Sequence, residues 1–146
     1  MGRILALDYG RKRTGIAVTD SLQMIANRLT TVNTKDIFVF LKDYFAGEKV
    51  DVVVVGLPVK LNNSPSEIQE EVKRFIASFK KQFPDIAVET VDERFTSSLA
   101  MQAMREGGVA RMKRRNKALT DAVSATILLQ DYLRARENKK NRERNV

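Results

Sequence analysis

Residues 4–20 read ILALDYGRKRTGIAVTD. Two apolar runs of strand length, 3–9 and 14–19, flank a short stretch holding Gly10 and three cations, with Gly15 just after it. That is the pattern of two strands joined by a turn. The first run ends on an acid, Asp8. A carboxylate taken out of water costs several kcal/mol unless a cation or hydrogen-bond donors meet it. Asp8 therefore reads two ways. It is an Asx-turn residue before Gly10, or it holds a metal while Arg11, Lys12 and Arg13 bind phosphate oxygens beside it.

Working outward, RLTTVN at 28–33 is a third strand of β-branched character, which makes an antiparallel meander. The period then changes. Ile37, Phe38, Phe40, Leu41, Tyr44 and Phe45 fall on one helical stripe, predicting a helix over 35–46 with Thr34 as its N-cap and Gly47 as its stop. DVVVVGLP at 51–58 is a short unbroken apolar run ended by Gly56 and Pro58, the mark of a strand buried on both faces. A second helix begins with Ser64 as cap, Pro65 at the first helical position and Glu67 completing a capping box. Its apolar face is Ile68, Val72, Phe75, Ile76, Phe79 and Phe83. IAVETV at 86–91 is a fifth strand, followed by DERFTS, a short helix over 97–106 stopped by Gly107 and Gly108, and a last helix over 118–136. Three strands, helix, strand, helix, strand and two helices imply an α/β fold: a mixed sheet with helices on its faces. One domain over 1–136 is expected, with 137–146 as a basic, disordered tail.

The chain has 146 residues, 43% of them hydrophobic, enough for one buried core. It has no cysteine and no histidine. Disulfides, thiolate nucleophiles, zinc ribbons, imidazole-based triads and imidazole metal sites are thereby excluded. Oxygen ligands remain, mainly carboxylates, which suit hard cations such as magnesium or manganese. No run reaches the roughly 18 apolar residues of a membrane span, and the first residues lack the apolar core and cleavage site of a signal peptide. A cytoplasmic protein without a membrane partner is expected.

The net charge is +8, from 26 Lys and Arg against 18 Asp and Glu, and it is segregated. Residues 105–117, REGGVARMKRRNK, hold six cations and one acid; residues 134–146, RARENKKNRERNV, hold six cations and two acids. The rest of the chain is close to neutral. Concentrated positive charge is what a polyanion-binding protein needs, since each phosphate neutralised releases counterions. The last segment reads equally well as a solvated tail.

Three acids fall where this layout would bring them together: Asp8 at the end of the first strand, Glu93 just past the fifth, and Asp121 in the last helix. Ligand sites in parallel sheets form beyond the carboxyl ends of the strands, where the first and fifth both deliver their acids. Asp121 shares a helical face with Ala118, Ala125, Leu128 and Tyr132, so it sits in a stripe that should face the sheet, and the alanines allow close approach. Its other reading is a complement to the helix dipole in the first turn, beside Thr120. Asp92 and Glu93 point to opposite faces of a strand, so one of them joins the site, and Glu93 is favoured. A surface salt bridge within Asp92, Glu93 and Arg94 is the alternative.

LALDYGRKRTGIAVTD, VVVVGLPVKLNNS, VDERFTS and NKALTDAVSATILLQDYL, in this order and spacing, resemble the YqgF (RuvX) group of the ribonuclease H-like superfamily over residues 2–135. At 61–63 this chain has LNN where members usually read MDG or similar. The resemblance implies a five-stranded mixed sheet in the order 3-2-1-4-5 flanked by helices. It also implies a nuclease, of the kind described as Holliday junction resolvases and as enzymes maturing the 5′ end of the 16S ribosomal RNA precursor. The family's acids carry over onto Asp8, Glu93 and Asp121, as catalytic residues and as ligands to two magnesium or manganese ions clamping a phosphodiester. Arg11, Lys12, Arg13 and Arg94 would position the backbone, Lys117 would reach the scissile phosphate, and Arg111, Lys113, Arg114 and Arg115 would grip the substrate outside the site. Nucleic acid is the expected partner, precursor ribosomal RNA ahead of branched DNA, together with the ribosome or its precursors. Rival readings are a phosphotransferase or ATPase, because a strand ending in Asp-x-Gly also cradles nucleotide phosphates, and a non-catalytic RNA- or ribosome-binding module.

Overall fold

The computed structural model describes residues 2–57, 67–92 and 117–144, with only the backbone at Glu67, Asp92, 117–121, 143 and 144. Five strands form one sheet in the order β3-β2-β1-β4-β5. They are β1 (Arg3–Tyr9), β2 (Arg13–Thr19), β3 (Ala26–Asn33), β4 (Val50–Leu57) and β5 (Ala87–Asp92). Three helices pack on it: α1 (Ile37–Gly47), α2 (Glu67–Gln82) and α3 (Lys117–Arg144). The sheet is mixed, as expected. β1 runs antiparallel to β2, with Leu5 opposite Val18 and Asp8 opposite Gly15, and parallel to β4, with Leu5 beside Val53 and Leu7 beside Val55.

Being central, β1 is buried on both faces, which is why its sequence is nearly unbroken in apolar residues. Its pleat divides them. Leu5 and Leu7 enter a cluster with Ile16, Val53 and Val55, closed by Ile37 and Leu41 of α1 and by Val72, Phe75 and Phe79 of α2. Ile4 and Ala6 enter a second cluster with Ala17, Val54, and Ala125, Leu128 and Leu129 of α3. One face is thus sealed by α1 and α2 and the other by α3.

The turn after β1 requires glycine for space, because a Cβ on Gly10 would collide with the carbonyl oxygen of Arg13. The next turn is held by Asp20, whose carboxylate accepts from the amides of Met24 and Ile25, each at 2.9 Å. Those backbone donors hold its carboxyl below the usual range. Gln23 in the same turn has φ of 59°, a left-handed conformation uncommon outside glycine. Its amide nitrogen donates to the Gly2 carbonyl at 2.6 Å, tying the turn to the start of β1.

Several boundaries differ from the sequence reading. β3 starts two residues earlier, at Ala26. Thr34 does not cap α1: it opens a single 3₁₀ turn, Thr34–Asp36, and α1 follows from an Asp36 cap that makes no side-chain hydrogen bond. The threonine hydroxyl is used elsewhere, as described below. α3 runs to Arg144, through most of the segment expected as a tail; no glycine or proline follows Gly108 to stop it. The Ser64 and Pro65 cap and the short helix over 97–106 lie outside the described residues.

Candidate active site at the carboxyl edge of the sheet

Asp8 follows Ile4 and Ala6 in the pleat, so it stands on the α3 face of the sheet, near the carboxyl end of β1, and is half-buried. Both lateral neighbours on that face are glycines. Gly15 of β2 lies opposite Asp8, and the register that sets Leu7 beside Val55 brings Gly56 of β4 abreast of it. Neither flanking residue carries a side chain on that face. Beyond Gly56 comes Val91 of β5, which packs in the α3-side cluster, and β5 is described as far as Asp92, abreast of Leu57. Strands about 4.8 Å apart put the end of β5 roughly 10 Å from β1 along this edge.

The direction of α3 follows from its contacts. Arg136 donates to the Gln23 side chain at 2.8 Å, and Gln23 in turn is bonded to Gly2, so the late part of the helix lies at the amino edge of β1. Ala125, Leu128 and Leu129 cover the middle of the sheet. The first turns of α3 therefore lie toward the carboxyl edge, and the backbone at Asp121 is one turn ahead of Ala125. The small residues at this contact are buried: Ala6, Ala17 and Ala125 fully, and Ala122 nearly so. Tyr132 reaches across to donate a hydrogen bond to Glu89 of β5. Burial first, and the Glu89 carboxylate second, push its phenol up to about 12.

The cationic turn beside Asp8 is clamped from below. The Thr34 amide donates to the Lys12 carbonyl at 2.9 Å, and its hydroxyl donates to the Gly10 carbonyl at 2.5 Å. That hydroxyl has spent its one proton, so it accepts from Thr14, 2.9 Å away. Both threonines are buried, and the turn is fixed by groups that water cannot easily replace. Arg11 and Lys12 are exposed and Arg13 is half-buried. Arg11 Nε lies 3.1 Å from Glu71 Oε1 of α2, a half-exposed pair of small energetic value that a phosphate could displace. Sequence reasoning had assigned neither the two threonines nor Gly15 to this edge. The strand register was the signal for Gly15, since pairing 3–9 with 14–19 across a tight turn sets Asp8 opposite it.

Asp8, Arg11, Lys12 and Arg13 thus share one edge of the sheet. The α3 backbone at Lys117 and Asp121 lies toward the same edge. Glu93, Arg94, Arg111, Lys113, Arg114 and Arg115 lie outside the described residues, as does the loop at 61–63. Among the described residues no three acidic, cysteine or histidine side chains come together, and of the three candidate acids only Asp8 has a described side chain. What Asp8 offers is a half-buried carboxylate oxygen at the edge from which the cationic turn 11–13 leaves, a donor type that suits a hard cation.

Comparison with known proteins bears on what such an edge is for. The family model described as "RuvX: Holliday junction resolvase" matches residues 2–135. A relative from Flavobacterium psychrophilum, named "Putative pre-16S rRNA nuclease", is 53% identical over 91% of this chain and 97% of its own length. Relatives with the same name from Christiangramia forsetii, 54% identical over 91% of this chain and 98% of theirs, and from Bacteroides thetaiotaomicron, 53% over 93% and 99%, agree. Among solved structures, YeaZ from Pseudomonas aeruginosa aligns at 17% identity with a TM-score of 0.44, covering 74% of this chain and 50% of that one, too distant to carry an argument.

Proposed function

Since the chain belongs to the RuvX family, we propose that it is a metal-dependent nuclease that hydrolyses phosphodiester bonds of structured nucleic acid, its substrate being the 5′ end of the 16S ribosomal RNA precursor. The observation that carries this is the placement of Asp8: half-buried, between two glycines, on the face of the sheet over which α3 brings the backbone of Asp121. Glu93 completes the set. Glu93 is preferred to Asp92 on the alternation expected from the sequence, with Val91 on the α3 side. With Asp121, these carboxylates would hold magnesium or manganese, two ions by charge balance against three acids and a phosphate. When bound, such ions supply a Lewis acid and an activated water for in-line displacement.

The chain's own groups do the rest. Arg11, Lys12 and Arg13, on a turn locked by Thr14 and Thr34, orient the phosphate backbone against the edge, and a pre-set turn spares the cost of ordering it on binding. Lys117, one turn before Asp121, stabilises charge on the phosphoryl oxygens, and Arg94 assists Glu93. With no histidine in the chain, proton transfer falls to water and carboxylates.

Asp8→Asn keeps the shape and removes the charge. Cleavage of end-labelled precursor ribosomal RNA should fall by about a thousandfold, roughly 4 kcal/mol of barrier, with binding by fluorescence anisotropy within a few-fold of the parent. Unchanged cleavage, or lost binding with unchanged cleavage per bound complex, would refute the assignment. The family's description as a Holliday junction resolvase supports a second reading, a nuclease of branched DNA, and a labelled four-way junction in the same assay decides between them.

A further inference from the structure

α3 continues beyond the residues matched by the family. Residues 136–142 read RENKKNR: four cations, one acid and no apolar side chain, all carried as regular helix. The root of this extension is fixed, since Leu133 and Tyr132 pack in the α3-side cluster and Arg136 is bonded to Gln23. Upstream, Arg134 is compensated by Asp131 at 3.7 Å. Downstream, Lys139, Lys140 and Arg142 are exposed, and among the described residues none of them has an ion-pair partner. Arg136 with Lys139 and Lys140, and Lys139 with Arg142, stand three or four residues apart, where like charges repel and weaken a helix.

We propose that this helical extension is a second binding surface for the phosphate backbone of the nucleic acid, remote from the acidic site. The proposal rests on the nuclease reading for the identity of the polyanion. RENKKNR supplies no apolar or aromatic side chain of its own, as a docking centre or a membrane-binding face would need. The exposed Leu22, Met24 and Ile25 line a groove that takes in only Arg136, Glu137 and Lys140 of this segment, leaving Lys139 and Arg142 outside it. A helix whose cations have no ion-pair partner among the described residues fits a polyanion, which relieves the repulsion along the helix and gains counterion release. Asp121 and Lys140 are 19 residues apart on one helix, about 30 Å along its axis. Only a ligand on the order of ten base pairs long or more can touch both ends. The extension therefore selects for long structured substrates over short ones, through affinity and not through chemistry.

The test is a salt titration of binding for the full chain in the Asp8→Asn background, which keeps the RNA whole, with a hairpin of about 20 base pairs and one of about 5. In the K139Q/K140Q/R142Q variant the log–log salt slope on the long hairpin should become shallower by about 2 to 3, with affinity near physiological salt down about tenfold, as expected for three lost phosphate contacts. The short hairpin should bind as before. The charge-keeping K139R/K140R variant should match the parent, which separates loss of charge from loss of fold. In the Asp8-containing chain the triple change should raise KM for the long RNA and leave kcat alone. Equal slopes on the long hairpin, or equal losses on both ligands, would overturn the proposal. Absence of cleavage by the parent chain would instead sink the nuclease reading and leave the slope comparison standing.

Discussion

The two faces of the sheet are built differently. On the α1 and α2 side the strands meet Leu41, Val72, Phe75 and Phe79, and the rings continue outward, with Phe79 5.0 Å from Phe83 and Phe83 5.0 Å from Phe45. On the α3 side Ile4, Ala6, Ala17 and Val54 of the strands meet Ala125, Leu128 and Leu129, with no aromatic ring among them, and glycines flank Asp8 at the edge. Large side chains bury more area per contact and dominate stability. Small ones let a helix approach closely, which is what delivering a helix-borne acid to a strand-borne acid requires. Both faces bury core, but the proposed site lies on the α3 face alone.

The comparison can be broken first on the aromatic side. Phe79→Ala should cost about 3–5 kcal/mol, read from urea unfolding, because the ring is almost wholly buried among three others. Cleavage per folded molecule should be unchanged. A large loss of turnover in the folded fraction would show that the two faces are not separable. On the other face, Ala125→Leu should cost less stability, about 1–3 kcal/mol from overpacking. It should nonetheless reduce turnover in the folded protein, because it lifts α3 from the sheet beneath Asp121. Full turnover in this variant would contradict the division of labour.

The smallest effect concerns Tyr132, which joins α3 to β5. Its pKa is raised to about 12, so the folded state holds its proton where the unfolded chain has lost it. The stability this contributes is fully present below about pH 10 and disappears as pH rises toward about 12. Thermal melts across that window should show a decline for the parent that Tyr132→Phe lacks. Identical profiles would mean that Tyr132 is neither buried nor bonded to Glu89 in solution as the structure has it.

Much of the aromatic face was legible from the sequence, since Ile37 to Phe45 and Ile68 to Phe83 repeat at helical spacing and the run from Val52 to Val55 can only be a buried strand. The strand order needed more than periodicity and came with the family resemblance. What stayed hidden were choices made by tertiary partners. Thr34 stands where a helix cap is expected, yet its hydroxyl bonds to Gly10 and Thr14, 24 and 20 residues away, and local pattern cannot anticipate such pairing. RENKKNR has the composition of a solvated tail, but Arg136 finds Gln23 across 113 residues and the helix continues through it. The position of Asp8 near the end of β1 was legible, because an acid closing an apolar run before a glycine marks where the strand stops.

The central claim is that Asp8, Glu93 and Asp121 share bound divalent ions. Crystals of the full chain soaked in manganese, measured near the manganese absorption edge, test it most directly. The account predicts two anomalous peaks within coordination distance of carboxylate oxygens from all three residues, at the carboxyl edge of β1 on the α3 face. Three carboxylates turned away from one another, with no anomalous peak between them, would contradict it.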